Sequence, residues 1–165
     1  MEFEEKLKEF IERVRKLKKL LTTEEATKTS LVMPFFSLLG YDVFNPNEFT
    51  PEYVADVGIK KGEKVDYAIT INNQVSILIE AKPVNENLTK HASQLFRYFG
   101  TTDAKIAILT NGIDYEFYTD LDETNKMDTT PFLEINLLDL KETDITELKK
   151  FCKDNFDINV IINTA

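Results

Sequence analysis

Gln74-Val75-Ser76-Ile77-Leu78-Ile79-Glu80-Ala81-Lys82-Pro83 is the stretch that decides how this chain folds. Val75, Ile77, Leu78 and Ile79 form an apolar run of strand length, which predicts a buried strand. Glutamate and lysine are almost never fully buried unless paired, yet Glu80 and Lys82 stand at the end of this run. Side chains alternate along a strand, so residues 80 and 82 share a face, about 7 Å apart. Pro83 has no N–H to give a ladder and ends the strand. A carboxylate and an ammonium at the rim of a hydrophobic sheet can hold a divalent metal and an activated water. The same three residues also read as an ion pair at a strand end, because E-x-K is a short pattern.

Immediately upstream, Glu63 to Ile71 alternates, with Val65, Tyr67, Ile69 and Ile71 on one face and Asp66, Ala68 and Thr70 on the other. Asn72-Asn73 then reads as a turn, so the two strands are expected to form a hairpin. Asp66 lies 14 residues before Glu80, and the register decides whether the two acids can cooperate. A plain two-residue loop pairs Asp66 with Ile79 and turns it away from Glu80. A three-residue loop, or one bulge, sets Asp66 directly opposite Glu80. The second register is the expectation here.

Downstream, Leu88 to Phe99 reads as a helix with Leu88, Ala92, Leu95 and Phe99 inward, ended by Gly100. Lys105 to Thr110 is a buried strand, Asn111-Gly112 a hairpin turn, and Ile113 to Thr119 the returning strand. Phe132 to Leu137 predicts a strand, residues 143–153 a helix, and Ile158 to Ile162 a last edge strand. Toward the N-terminus, Phe3, Leu7, Phe10, Ile11, Val14, Leu17 and Leu21 recur at helical spacing. Thr22-Thr23-Glu24-Glu25 is a helix start with acids at the positive end of the macrodipole. That second helix runs through Leu39, with Pro34 as a kink and Gly40 as its stop. Tyr41 to Phe44 predicts a short strand, and residues 45–62 an irregular excursion. The sum is an α/β fold, a mixed sheet flanked by helices.

The 165 residues suit one domain with a real core, divided as an N-terminal helix (1–21), a central body (about 22–138) and a C-terminal helix and edge strand (139–165). No apolar run reaches the ~20 residues that span a bilayer, and Met1 to Lys6 lacks a signal-peptide core, so no membrane and a cytoplasmic location are expected. One cysteine, Cys152, excludes an internal disulfide. The net charge of −9 does not favour nucleic acid, but it is uneven. Residues 1–21 carry seven Lys/Arg against five Glu, whereas residues 122–157 carry five Lys against ten Asp/Glu. Phe35, Phe36, Phe96, Phe99, Phe117, Tyr118 and Cys152 read as core, His91 as a helix-surface or partly buried histidine, and residues 120–128 as a solvated loop.

Asp66 followed by Glu80-Ala81-Lys82 at a strand end resembles the metal-binding motif of the PD-(D/E)xK nuclease superfamily. Seven stretches in order make the resemblance narrower: Glu24-Glu25-Ala26-Thr27-Lys28, Pro34 to Tyr41, Ala55-Asp56-Val57-Gly58, Lys64 to Ile69, Leu78 to Lys82, His91 to Phe99 and Leu109 to Gly112. Together they resemble the N-terminal endonuclease domain of type I restriction enzyme R subunits over about residues 22–138. The resemblance implies a restriction-endonuclease-like α/β fold and a Mg²⁺-dependent DNA endonuclease, with Mn²⁺ as a substitute. Asp66, Glu80 and the Ala81 carbonyl would ligate the metal, since Mg²⁺ keeps its waters and needs few protein oxygens. Lys82 would orient the attacking water and lower its pKa. Glu24, or alternatively Glu25, would complete the acidic set. Gln94 and Tyr98 match the family's Q-x-x-x-Y helix, where Gln94 would meet a phosphate or metal-bound water. Arg97, Tyr98 and Lys90 would stand nearest DNA. Val65 replaces the proline that often precedes the first aspartate.

The same resemblance implies partners: DNA, and motor and specificity subunits of a restriction system; the acidic net charge leaves docking to such partners or to a homodimer. No G-x-x-x-x-G-K-[ST] occurs, so the chain carries no phosphate-binding loop of a motor, and no separate DNA-reading motif is visible. Two other readings stay open. One is a catalytically silent nuclease-like module that binds DNA or protein in a defence or mobile-element system. The other is a nuclease acting on RNA or branched DNA.

Overall fold

The computed structural model describes residues 2–54, 64–89 and 91–165. Met1, Ala55-Asp56-Val57-Gly58, Glu63 and Lys90, used above, lie outside the described residues. Six strands form one sheet in the order β1 (Phe49–Val54), β2 (Lys64–Ile71), β3 (Gln74–Ala81), β4 (Ile106–Thr110), β5 (Asp114–Tyr118) and β6 (Leu133–Asn136). Only β3 and β4 run parallel, joined by a crossover that carries α4 (Ser93–Phe99). All other neighbours are antiparallel.

Helices cover both faces. Against one lie α1 (Phe3–Leu17), α2 (Glu24–Thr27), a wide turn of π-type over Lys28–Val32, α3 (Met33–Leu38), and the C-terminal α5 (Glu142–Lys149) and α6 (Ile158–Asn163). Their core is aromatic: Phe35 stacks on Tyr115 at 4.2 Å between centroids and meets Phe36 edge-on at 5.2 Å. The other face packs α4 through Leu95, Tyr98 and Phe99 onto Ala68, Leu78, Ala107 and Leu109. Strand β3 is buried from Ile77 to Ala81, as a central strand with covered faces must be. Among the described residues, no helix is long and apolar enough to cross a membrane.

The expected hairpin and bulge are present. Ile71 pairs with Gln74 and Thr70 with Val75 around the two-residue turn, where Asn72 and Asn73 both adopt positive φ (52° and 64°). The register then shifts, so that Ile69 pairs with Ile77 and Tyr67 with Ile79. Ser76 is thus the extra residue. One step further along the shifted ladder, Asp66 stands opposite Glu80.

Four expectations about the elements are corrected. Ile158 to Ile162 is not an edge strand but the helix α6, because the Asp157 carboxylate accepts from the N–H groups of Asn159 and Val160 and starts a helix there. Tyr41 to Phe44 is a loop: Asp42 Oδ1 accepts from Phe44 N–H and Glu48 Oε2 from Asp42 N–H, so side chains take the place of a ladder. Part of the excursion 45–62 is the strand β1, in which Pro51 is tolerated because the strand is an edge. The helix expected from Leu88 starts only at Ser93; Asn87 Oδ1 binds Thr89 N–H and keeps the preceding chain in turns. Phe96, expected in the core, is 37% exposed, and Cys152 is half-buried.

Candidate functional site

Three features of the sequence bring the functional side chains to one end of β3. Thr23 caps α2, its hydroxyl accepting from Ala26 N–H at 3.0 Å. Thr27, fully buried, then donates its hydroxyl proton to Thr23 O (3.1 Å) and accepts from Val84 N–H (3.1 Å), tying α2 to the chain that leaves β3. Gly112, at φ 88°, lets the β4–β5 loop press against the following wide turn: a Cβ there would lie 2.8 Å from Leu31 Cδ1. Glu24 and Lys28 are thereby delivered to the strand end that carries Glu80 and Lys82.

Asp66 and Glu80 interlock through each other's backbone. Glu80 Oε1 accepts from Asp66 N–H at 3.2 Å, and Asp66 Oδ2 accepts from Ala81 N–H at 2.7 Å. Glu80 is only 5% exposed, the one buried carboxylate among the described residues. Burial first, and then the charge of Asp66, push its pKa well above the ordinary glutamate value; the Asp66 N–H and Lys82 offset this in part. Lys82 Nζ stands 3.9 Å from Glu80 Oε2. Burial and the Asp66 charge also raise the pKa of Glu24, against Lys28 and Lys82. Of the two helix glutamates, Glu24 therefore senses the site. The Glu25 side chain is 80% exposed.

Lys28 received no role from the sequence, yet it is central here. Its Nζ lies 2.9 Å from Asp66 Oδ1, 2.9 Å from Glu25 Oε1 and 3.8 Å from Glu24 Oε2, with the side chain 12% exposed. Burial opposes its charge, and the bonds to Asp66 and Glu25 more than reverse this, holding its pKa above the usual lysine value. The available signal was its spacing, three and four residues after two acids at a helix start, which reads equally well as a surface pair. Glu52 of β1 falls in the same cross-strand row as Asp66, but its φ of 50° takes it out of the ladder, and its carboxylate lies 3.8 Å from Lys64.

The α4 residues divide. Gln94 Nε2 donates to Lys64 O at 2.6 Å, so its amide fastens α4 to β2 two residues from Asp66. Tyr98 is fully buried in the α4-side core, which removes it from the residues expected at DNA. Arg97 is on the exposed side of the helix. His91 lies 3.8 Å from Glu86.

Two carboxylates, the neighbouring Ala81 carbonyl and a lysine suit an oxygen-seeking divalent ion, and the mutual repulsion of Asp66 and Glu80 is what such an ion relieves. Of the Asp66 carboxylate, Oδ2 accepts from the Ala81 N–H and Oδ1 is taken by the Lys28 ammonium. Among the described residues, no three acidic, histidine or cysteine side chains converge to hold an ion. A cleft of about 700 Å³ lies elsewhere, lined by Glu86, Asp114, Glu116, Glu134, Asp139 and Asp144 among others. There Glu116 stands directly opposite Glu134 on β5 and β6.

The mixed six-stranded sheet with helices on both faces is consistent with a restriction-endonuclease-like α/β fold. Residues 57–126 match the family model described as type I restriction enzyme R protein N terminus. The segment holds Asp66, Glu80, Lys82 and Gln94; Glu24 and Lys28 precede it, so the match is narrower than the resemblance over 22–138. No curated protein and no solved structure matches the chain.

Proposed function

We propose that this chain is a Mg²⁺-dependent endonuclease domain that hydrolyses DNA phosphodiester bonds, without sequence choice or a motor of its own. The observation that carries the reading is the Asp66–Glu80 pair, set opposite each other by the bulge and interlocked at the buried end of β3. Asp66 and Glu80, with the Ala81 carbonyl, would hold the metal. A bound divalent ion supplies Lewis-acid polarisation of a phosphoryl oxygen and a source of hydroxide near neutral pH. Lys82 donates from Nζ to the attacking water and, by its charge, favours loss of that water's proton. Glu24 adds negative charge at the same strand end, and its raised proton affinity suits it to take up a proton. Gln94 keeps β2 and α4 in register and so holds Asp66 in place. DNA and the other subunits of a restriction system are the partners this reading implies, and the net charge of −9 assigns them much of the docking.

The test is cleavage of a supercoiled plasmid in Mg²⁺ or Mn²⁺ by wild type, Asp66→Ala and Lys82→Ala. Loss of cutting in both variants, with unchanged circular dichroism, supports the reading. Equal cutting by all three proteins overturns it. A specific observation favours a second reading, a silent nuclease-like binding module: a lysine, not a third acid, fills the space beside Asp66. Absence of cutting by wild type, even with partner subunits present, selects that module.

A further inference from the structure

We propose that Lys28 is a built-in stand-in for the metal, which a divalent cation must displace from Asp66 in order to bind. The inference rests on the metal site proposed above and concerns how that site is kept when no ion is bound. Two acids opposite each other on adjacent strands repel, and the more buried of them, Glu80, cannot be relieved by water. In this structure the relief comes from a side chain. The Lys28 ammonium sits 2.9 Å from Asp66 Oδ1, on the oxygen that does not accept from Ala81 N–H. It reaches there from a wide turn whose start is fixed by the Thr27 hydroxyl, so its position is built rather than accidental.

The same ammonium has a second berth. Glu25 Oε1 at 2.9 Å and Glu24 Oε2 at 3.8 Å lie one turn back on its own helical segment. When a cation takes Asp66 Oδ1, Lys28 keeps these partners and retreats toward the helix without losing every counter-charge. The exchange swaps one positive group for another at Asp66, so the site never holds its two carboxylates uncompensated. It also sets a threshold, because the ion must outcompete a tethered amine. A charge this close, at the effective dielectric of a protein surface, is worth enough to weaken metal binding about tenfold or more.

The test measures binding, not cutting. Mn²⁺ affinity is determined by electron paramagnetic resonance for wild type, Lys28→Met and Asp66→Asn, and the side-chain Nζ resonance of Lys28 is followed by NMR in wild type with and without Mg²⁺. Tighter Mn²⁺ binding by Lys28→Met than by wild type, about tenfold, together with a Mg²⁺-dependent shift of the Lys28 resonance, supports the inference. Equal or weaker binding by Lys28→Met, while Asp66→Asn abolishes it, overturns the inference and leaves the metal site standing. Unchanged binding by Asp66→Asn, or no binding by any of the three, overturns the metal site and the inference with it. If Lys28→Met does not fold, the wild-type resonance decides alone: a position indifferent to saturating Mg²⁺ overturns the displacement.

Discussion

Two pairs of acids face each other across neighbouring strands of this sheet, and they differ in every other respect. Glu116 and Glu134 on β5 and β6 belong to a broad cleft rich in carboxylates. Asp66 and Glu80 on β2 and β3 sit at a strand end with two lysines within 4 Å. The first pair is served by a tyrosine hydroxyl, since Tyr118 donates to Glu116 at 2.9 Å. The second is held by main-chain N–H groups from both strands. The difference teaches that a count of acids does not locate chemistry. What marks the β3 end is burial, backbone fixation and opposed charge held at short range, the means by which a protein arranges reactive groups before a substrate arrives.

The comparison is tested most severely by activity. Lys82→Ala and Asp66→Ala are expected to lower plasmid cleavage by a factor of about 10² or more, while Glu134→Gln leaves it unchanged; initial rates under saturating Mg²⁺ check this. If Glu134→Gln matters as much, the two regions have been assigned the wrong way round. Next in size, Gly112→Ala forces a side chain into φ 88° and onto Leu31, and should cost about 1–3 kcal/mol in a urea melt. Because that contact seats the segment bearing Glu24 and Lys28, cleavage should fall with it.

The stability of the metal-free protein carries the electrostatic half of the comparison. Glu80 has a folded pKa raised to about 8, so the folded state holds its proton more tightly than the unfolded chain does. Between the ordinary value of 4.5 and about 8, wild type therefore loses stability as pH rises. Glu80→Gln removes this slope and should be the more stable protein at pH 8, by at least ~1.4 kcal/mol, the worth of one pKa unit. Urea melts in a chelator at pH 5 and pH 8 check it, and added Mg²⁺ should restore the wild type but not the variant. A smaller effect separates the helix glutamates: Glu24→Gln should slow cleavage about tenfold, or ~1.4 kcal/mol, and Glu25→Gln hardly at all. Smallest of all, Glu134→Gln relieves a directly opposed like-charge pair in the cleft and should add ~0.2–1 kcal/mol to stability.

Much of this was written in local patterns. The alternation of Lys64 to Ile71, the Asn72-Asn73 turn and the run from Val75 to Ile79 fix a hairpin, and the demand that Asp66 meet Glu80 calls for the bulge that Ser76 supplies. What local pattern hides is the identity of the partner. A short apolar run such as Ile158 to Ile162 suits a strand or a helix, and the Asp157 cap settled it. Pro51 speaks against a strand unless the strand is known to be an edge, which depends on the whole sheet. Lys28 was invisible for the same reason: its decisive contact, Asp66, lies 38 residues away in sequence.

The margin of the sheet at β1 has a consequence for solubility. Pro51 offers no N–H, and Glu52, turned to φ 50°, breaks the regular row of groups that a passing strand would grip. Such a border is a poor template for cross-β growth, so crowded copies of this chain are kept from zipping together along that rim.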